Sequence, residues 1–233
     1  MSLAGLFDAA VGAPDAPMRV SPVQRRSAAR LSGLLDAAAE VVDLVGFDRI
    51  TTAMIAERAG ASIGTVYRYY PDRVAVLQAL RERTLTRFRA RISEEISVSQ
   101  PQSWWQAVDC AVTAFVNMYR AEPGFQILHF ADRDGGTLAP NGEAGTVGPA
   151  SGTSSFAARL AVALADEFGL SDDADLGFRL EVAVEMAGAL LSRAFLTDSL
   201  GDDRFIAECR RVLYDYLCVF YGSDAARPAE LTR

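Results

Sequence analysis

Apolar residues recur at three- and four-residue steps along almost the whole chain, and no stretch alternates apolar with polar residues as a half-buried strand would. Leu31, Leu34, Leu35, Ala38, Val41, Val42 and Val45 form the first such stripe, with Asp36, Glu40 and Asp43 on the opposite face. Carboxylates so spaced are either acid/base machinery or a solvated helix face, and the amphipathic pattern favours the solvated face. Gly46, free to adopt a left-handed conformation, ends this helix. Further helices are expected at about 52–59, 63–70, 73–96, 104–119, 123–130, 154–168, 173–200 and 202–221, the first of them capped by Thr51. Residues 134–155, rich in Gly, Ser, Ala and Pro, read as a long flexible loop. Residues 1–20, with Pro14 and Pro17, read as a mobile tail, and a polar tail closes the chain from 223 to 233. The expected fold class is all-α.

Residue usage removes several kinds of chemistry. All 23 basic residues are Arg, so a phosphate loop with its Lys, a Schiff-base Lys and a Lys general base are excluded. His129 is the single histidine, which excludes any site built on two His ligands. Cys110, Cys209 and Cys218 are too few and too scattered for a disulfide framework, which suits a reducing cytoplasm. No apolar run approaches the roughly 18 residues needed to span a bilayer. The first residues lack the charged start and long apolar core of a secretory signal, so a cytoplasmic chain with no membrane partner is expected. Asp172-Asp173-x-Asp175 lacks the rest of a Ca²⁺ loop, and acids at a helix start are stabilised by the helix dipole anyway. No metal and no cofactor are implied.

The formal net charge of −7 argues against nucleic acid only while it is read as a total. From Arg19 to Arg91 there are 13 Arg against 7 acids; from Ile92 to Arg233 there are 10 Arg against 21 acids. The basic third holds a stretch with helix-turn-helix logic, Thr51-Thr52-Ala53-Met54-Ile55-Ala56-Glu57-Arg58-Ala59-Gly60-Ala61-Ser62-Ile63-Gly64-Thr65-Val66-Tyr67-Arg68-Tyr69-Tyr70. Ile55, Ala56 and Ala59 supply a small apolar face, Gly60 permits a tight turn, and Val66 and Tyr70 point back to the core. That leaves Ser62, Ile63, Thr65, Tyr67, Arg68 and Tyr69 outward, where hydroxyls, a guanidinium and aromatics suit a major groove. Gly64 lets the backbone come close to DNA.

This stretch, with Val45-Gly46-Phe47-Asp48 before it and Pro71-Asp72-Arg73 after it, resembles the DNA-binding domain of the tetracycline-repressor (TetR) family of bacterial transcriptional regulators. The resemblance covers about residues 24–80. It implies that Thr51 and Thr52 meet phosphates at the start of their helix. It also implies that Ser62, Ile63, Thr65 and Arg68 read bases or position the recognition helix, and that Tyr67, Tyr69 and Arg73 contact phosphate or the groove wall. Two positions depart from the family pattern. Ile63 stands where a polar or basic residue is common, so it reads a thymine methyl or simply packs. Tyr70 replaces a Phe, and its hydroxyl needs a partner or an exposed edge. Tyr67 and Tyr69 are alternatively packing residues, and Arg25, Arg26 and Arg30 are either a DNA-reaching arm or solvated charge.

The resemblance further implies two domains, a helix-turn-helix reader at 21–72 and a helical effector-binding and dimerisation domain at 73–222, joined by the helix from Arg73 to Ile96. Trp104, Trp105, Phe115, Met118, Tyr119 and Phe125 either line an effector pocket or fill the core, and His129 either offers the effector a polar contact or is structural. The last two helices are apolar over a broad arc, so Leu180, Val184, Leu191, Phe195, Val212, Tyr216 and Phe220 are candidates for a two-fold dimer interface. The expected partners are double-stranded palindromic operator DNA, a second copy of the chain and a small, apolar effector of unknown identity. Control by a protein partner, with 134–155 as the docking element, is the alternative. A helical enzyme is disfavoured by one His, no Lys and no activated nucleophile.

Overall fold

A computed structural model of the chain describes residues 22–129, 152–170 and 174–222. Among them are eight α-helices, one 3₁₀ helix and no strand. In chain order the α-helices are α1 (Pro22–Val45), α2 (Thr52–Arg58), α3 (Ile63–Tyr69), α4 (Arg73–Ser99), α5 (Trp104–Ala121), α6 (Gly152–Phe168), α7 (Ala174–Ala194) and α8 (Asp203–Tyr221), with the 3₁₀ turn at Phe125–His129. The fold is all-α, as the periodicity requires. The described residues form two compact units, 22–87 with 122–129, and 88–121 with 152–170 and 174–222.

In the first unit, the apolar stripe of α1 (Leu34, Leu35, Ala38, Val41, Val42) gathers Ile55 and Ala56 of α2, Val66 of α3, and Val76, Leu77 and Leu80 of α4. Phe47 and Ile50, in the turn after α1, close the same core. The loop after α5 belongs here too. Ile127 is buried in this core, Gly124 donates its N–H to Asp43 Oδ1 at 2.8 Å, and the Gln126 amide donates to the Val42 carbonyl at 2.9 Å. Gly124 is required at its place: its φ is +71°, and a Cβ there would lie 2.7 Å from Ala39 Cα. Burial pushes the Asp43 carboxyl up, opposed by its bond from Gly124.

In the second unit α7 packs closely against both α6 and α8, and α5 also contacts α6 and α8. Ser103 caps α5, its hydroxyl accepting from the Gln106 N–H at 3.2 Å. Arg210 of α8 ties into α5 through Asp109 Oδ1 (2.6 Å) and Thr113 Oγ1 (3.0 Å). The helix expected to run to Leu200 ends at Ala194 instead. Asp198 closes a turn there, accepting from the Leu200 N–H at 2.8 Å, and Gly201 at φ +83° redirects the chain into α8. Helix α6 starts at Gly152, inside the segment read as loop; the rest of 130–151 lies outside the described residues, as do both tails and Asp172-Asp173. No helix among the described residues is long and apolar enough to cross a membrane.

Candidate nucleic-acid interface

The helix-turn-helix is built by local hydrogen bonds that its residues dictate. The Thr51 hydroxyl caps α2 by accepting from the Met54 N–H at 3.2 Å. At the other end Gly60 adopts φ +59°, its N–H donating to the Glu57 carbonyl and the Ala61 N–H to that of Ala56. These paired bonds are a Schellman motif, which needs a left-handed residue at the glycine. Ser62 then caps α3, accepting from the Thr65 N–H at 3.2 Å and sharing a 3.0 Å bond with its hydroxyl. Val66, fully buried, pins α3 to the core. Asp72 accepts from the Ala75 N–H at 2.8 Å and so starts α4.

Side chains left outside this core are the ones expected to face DNA. Ser62, Ile63, Gly64, Tyr67 and Arg68 are exposed, with Ile63 at 47% and Tyr67 at 51%. Thr51 is exposed, and Thr52 and Thr65 are half-buried. The Tyr67 and Thr52 hydroxyls share a 3.2 Å bond that ties α3 to α2 and fixes the tyrosine's direction on the surface. Tyr69 packs partly on the core and its hydroxyl meets that of Ser27 on α1 at 3.4 Å, so it is both packing and edge. Arg73 is half-buried and donates through Nη1 to the Asp48 carbonyl at 2.8 Å, bracing the turn after α1. Its remaining N–H groups are what it has to offer a phosphate. Tyr70 is buried, and burial pushes its phenol up, partly opposed by Arg83. Arg30 is exposed on α1. Ser27 and the Asp48 carbonyl, which brace Tyr69 and Arg73, are not named by the sequence pattern, because their contacts span 42 and 25 residues.

At Gly64 a Cβ would meet only Ser62 Oγ, at 3.9 Å. Packing leaves room for a side chain, so the protein's own fold does not demand the glycine.

Candidate effector residues fall into separate groups. Trp104, Trp105 and Met118 are buried, and both indoles pack on Tyr214 of α8, Trp104 stacked at 5.9 Å and Trp105 edge-on at 5.2 Å. These three are core. Phe115 and Tyr119 are half-buried and belong to another group: Phe115 meets Phe88 at 5.7 Å, and Tyr119 stacks on Phe195 at 4.3 Å. Phe125 is buried and belongs to the first unit, and the His129 side chain lies outside the description.

Of the interface candidates, Leu180 and Leu191 are each 1% exposed and belong to the core of their own unit, which corrects the expectation for those two. Val184, Phe195, Val212 and Tyr216 are half-buried and Phe220 is exposed. Phe178 (64%) and Val219 (79%), not among the candidates, are more exposed than any of these. An apolar arc on a helix signals two packing partners without saying which residue serves which.

Two family descriptions match the chain. "Bacterial regulatory proteins, tetR family" matches residues 34–80, and "Tetracyclin repressor-like, C-terminal domain" matches residues 102–221. The chain belongs to the TetR family. Among solved structures it is similar to a TetR-family transcriptional regulator from Streptomyces coelicolor, with a TM-score of 0.64 and 32% identity, covering 81% of this chain and 97% of that one. The SmeT–triclosan complex shares the fold, at a TM-score of 0.52 and 21% identity over 88% of this chain and 98% of that one; SmeT is the repressor of a Stenotrophomonas maltophilia multidrug efflux pump. Over 92 residues the chain is 30% identical to the HTH-type transcriptional repressor KstR of Mycobacterium tuberculosis, a match spanning 34% of this chain and 40% of KstR. TetR-family membership makes the chain a transcriptional regulator with an N-terminal DNA-binding helix-turn-helix.

Proposed function

We propose that this regulator is a repressor that binds a palindromic operator as a homodimer through α3, and that a small apolar molecule bound in its second unit releases it. The observation that carries the DNA half is the outer face of α3. Ser62, Ile63, Gly64, Tyr67 and Arg68 stand exposed on a helix whose inner face is locked by Val66, and the glycine among them is one the fold does not need. Thr51, Thr52, Tyr69 and Arg73 flank that face and would meet backbone phosphates, while the helix would enter the major groove.

Dimerisation is supported by the exposed apolar side chains of α7 and α8, with Phe178, Val219 and Phe220 flanked by Val184, Val212 and Tyr216. Two copies joined through this face would present two recognition helices to two half-sites. Small-molecule control is supported by the aromatic group of Phe88, Phe115, Tyr119 and Phe195 in the second unit, and by SmeT, a structural neighbour solved with triclosan. Release would follow from linkage: an effector that prefers the arrangement unable to hold DNA shifts the population away from the operator, and α4 would carry the change.

The test is a titration of the full chain against duplex DNA from its own upstream region at two salt concentrations. Specific binding that weakens steeply with salt is expected. Affinity unchanged after Tyr67→Ala together with Arg73→Ala would overturn the assignment of the surface.

A further inference from the structure

Many arginines among the described residues are matched to acids. On α4, Arg83 pairs with Asp36 at 2.7 Å, Arg87 with Glu122 at 2.9 Å and Arg91 with Glu94 at 2.6 Å. In the helices beyond, Arg179 takes Asp175 and Arg210 takes Asp109. Arg89, two positions from both Arg87 and Arg91, has no hydrogen bond or ion pair among the described residues, and its Nε is shut off from solvent without an acceptor.

Its position makes this costly. Arg89 continues the helical row of Ser93 and Ile96, both buried. Its neighbour Phe88 packs on Phe156 of α6, ring centroids 5.7 Å apart, and Arg159 lies one turn after Phe156 on that helix. That ring contact joins the two helices that carry these arginines, and Arg159, half-buried, has no acid or hydrogen-bond partner among the described residues. Burial and the positive charge of Arg159 both push the Arg89 guanidinium below its ordinary value. Arginine does not shed its proton at neutral pH, so a bound anion would offset the repulsion between two half-buried like charges.

We infer that Arg89 and Arg159 form an anion-binding site in the second unit that takes the carboxylate or phosphate head of an otherwise apolar effector. The inference rests on the reading of this unit as the effector-binding part and narrows that effector from an apolar molecule to an anionic amphiphile. Phe88, in contact with Phe115 and Phe156, supplies the apolar surface beside the charged pair. The planar guanidinium fork suits either oxyanion, because both present paired oxygens at matching spacing.

The experiment uses the full chain, with dodecanoate and inorganic pyrophosphate as the two probes. At least one is expected to bind the wild type at millimolar concentration or below. Its affinity should fall tenfold or more in Arg89→Met and in Arg159→Met, and stay unchanged in the exposed control Arg204→Ala. Dodecanoate alone points to a carboxylate head, and pyrophosphate to a phosphate head. Thermal unfolding supplies the second readout: Arg89→Met should melt at or above the wild-type temperature, because it removes a shielded, unmatched charge. A lower melting temperature shows Arg89 to be a structural residue and overturns the proposal, as does failure of both probes on the wild type or equal affinity in the variants. Binding of the wild type to its upstream DNA is scored in parallel. Loss of that binding strikes the regulator reading, while intact DNA binding with no anion effect strikes this site alone.

Discussion

Gly64→Ala separates what α3 needs for folding from what it needs for DNA. The added methyl group would find Ser62 Oγ at 3.9 Å and nothing nearer, an ordinary van der Waals contact. Glycine within a helix is about 0.5–1 kcal/mol less favourable than alanine, so the substitution should stabilise the protein by up to that amount. For a chain of this size the melting temperature should rise by about 1–4 °C. On DNA the same methyl group stands at the point of closest approach between helix and groove. Displacing the helix there weakens the contacts that neighbouring side chains make, and a tenfold or greater loss of affinity, about 1.4 kcal/mol, is expected. Differential scanning calorimetry and fluorescence anisotropy with labelled upstream duplex read the two effects on one preparation. Affinity equal to wild type would refute the close approach; a lower melting temperature would refute the claim that the fold leaves room.

Four further outcomes follow from particular contacts. Ser62→Ala removes the cap of α3 and should cost about 1 kcal/mol in urea unfolding, with a parallel loss of DNA affinity. Gly60→Ala forces a side chain into φ +59°, and the melting temperature should fall by several degrees, whereas a neutral result would contradict the Schellman geometry. Val219→Glu places a charge on an exposed apolar position of α8, and analytical ultracentrifugation should show monomer at a concentration where the wild type is dimeric. Burial pushes the Cys209 thiol up to about 12. The folded state therefore holds this proton after the unfolded chain has released it. Stability from this group is complete below about pH 9 and is lost as pH rises toward 12, at roughly 1.4 kcal/mol per pH unit. Cys209 should also resist thiol reagents at pH 8 in the native protein, and rapid native labelling would contradict its burial.

The reading head was legible in the sequence because its determinants are local. Thr51 and Ser62 accept from N–H groups three residues ahead, α2 ends through the bonds of Gly60 to Glu57 and of Ala61 to Ala56, and Val66 and Tyr70 follow helical spacing. Gly124 was different. The space for its Cβ is taken by Ala39, and its N–H donates to Asp43, both some eighty residues away, so nothing near it in sequence announced that the loop after α5 docks on α1. In α7 the period of apolar residues marked a doubly apolar helix correctly. Only packing showed that Leu180 and Leu191 face inward while Phe178 stays exposed. Arg89 and Arg159 carry no motif at all; their interest lies in lacking the acids that Arg87 and Arg91 have.

The central claim is that α3 reads DNA, and the most direct measurement is selection of bound duplexes from a random-sequence pool by the full-length protein, followed by anisotropy on the enriched site. The account predicts a two-fold-symmetric consensus whose affinity falls steeply between 50 and 200 mM salt, by roughly 10³-fold if six or more phosphates are contacted. Arg68→Ala should relax the preference at one symmetric pair of positions. Enrichment of no consensus, or equal affinity for the selected site and a scrambled duplex, would contradict it.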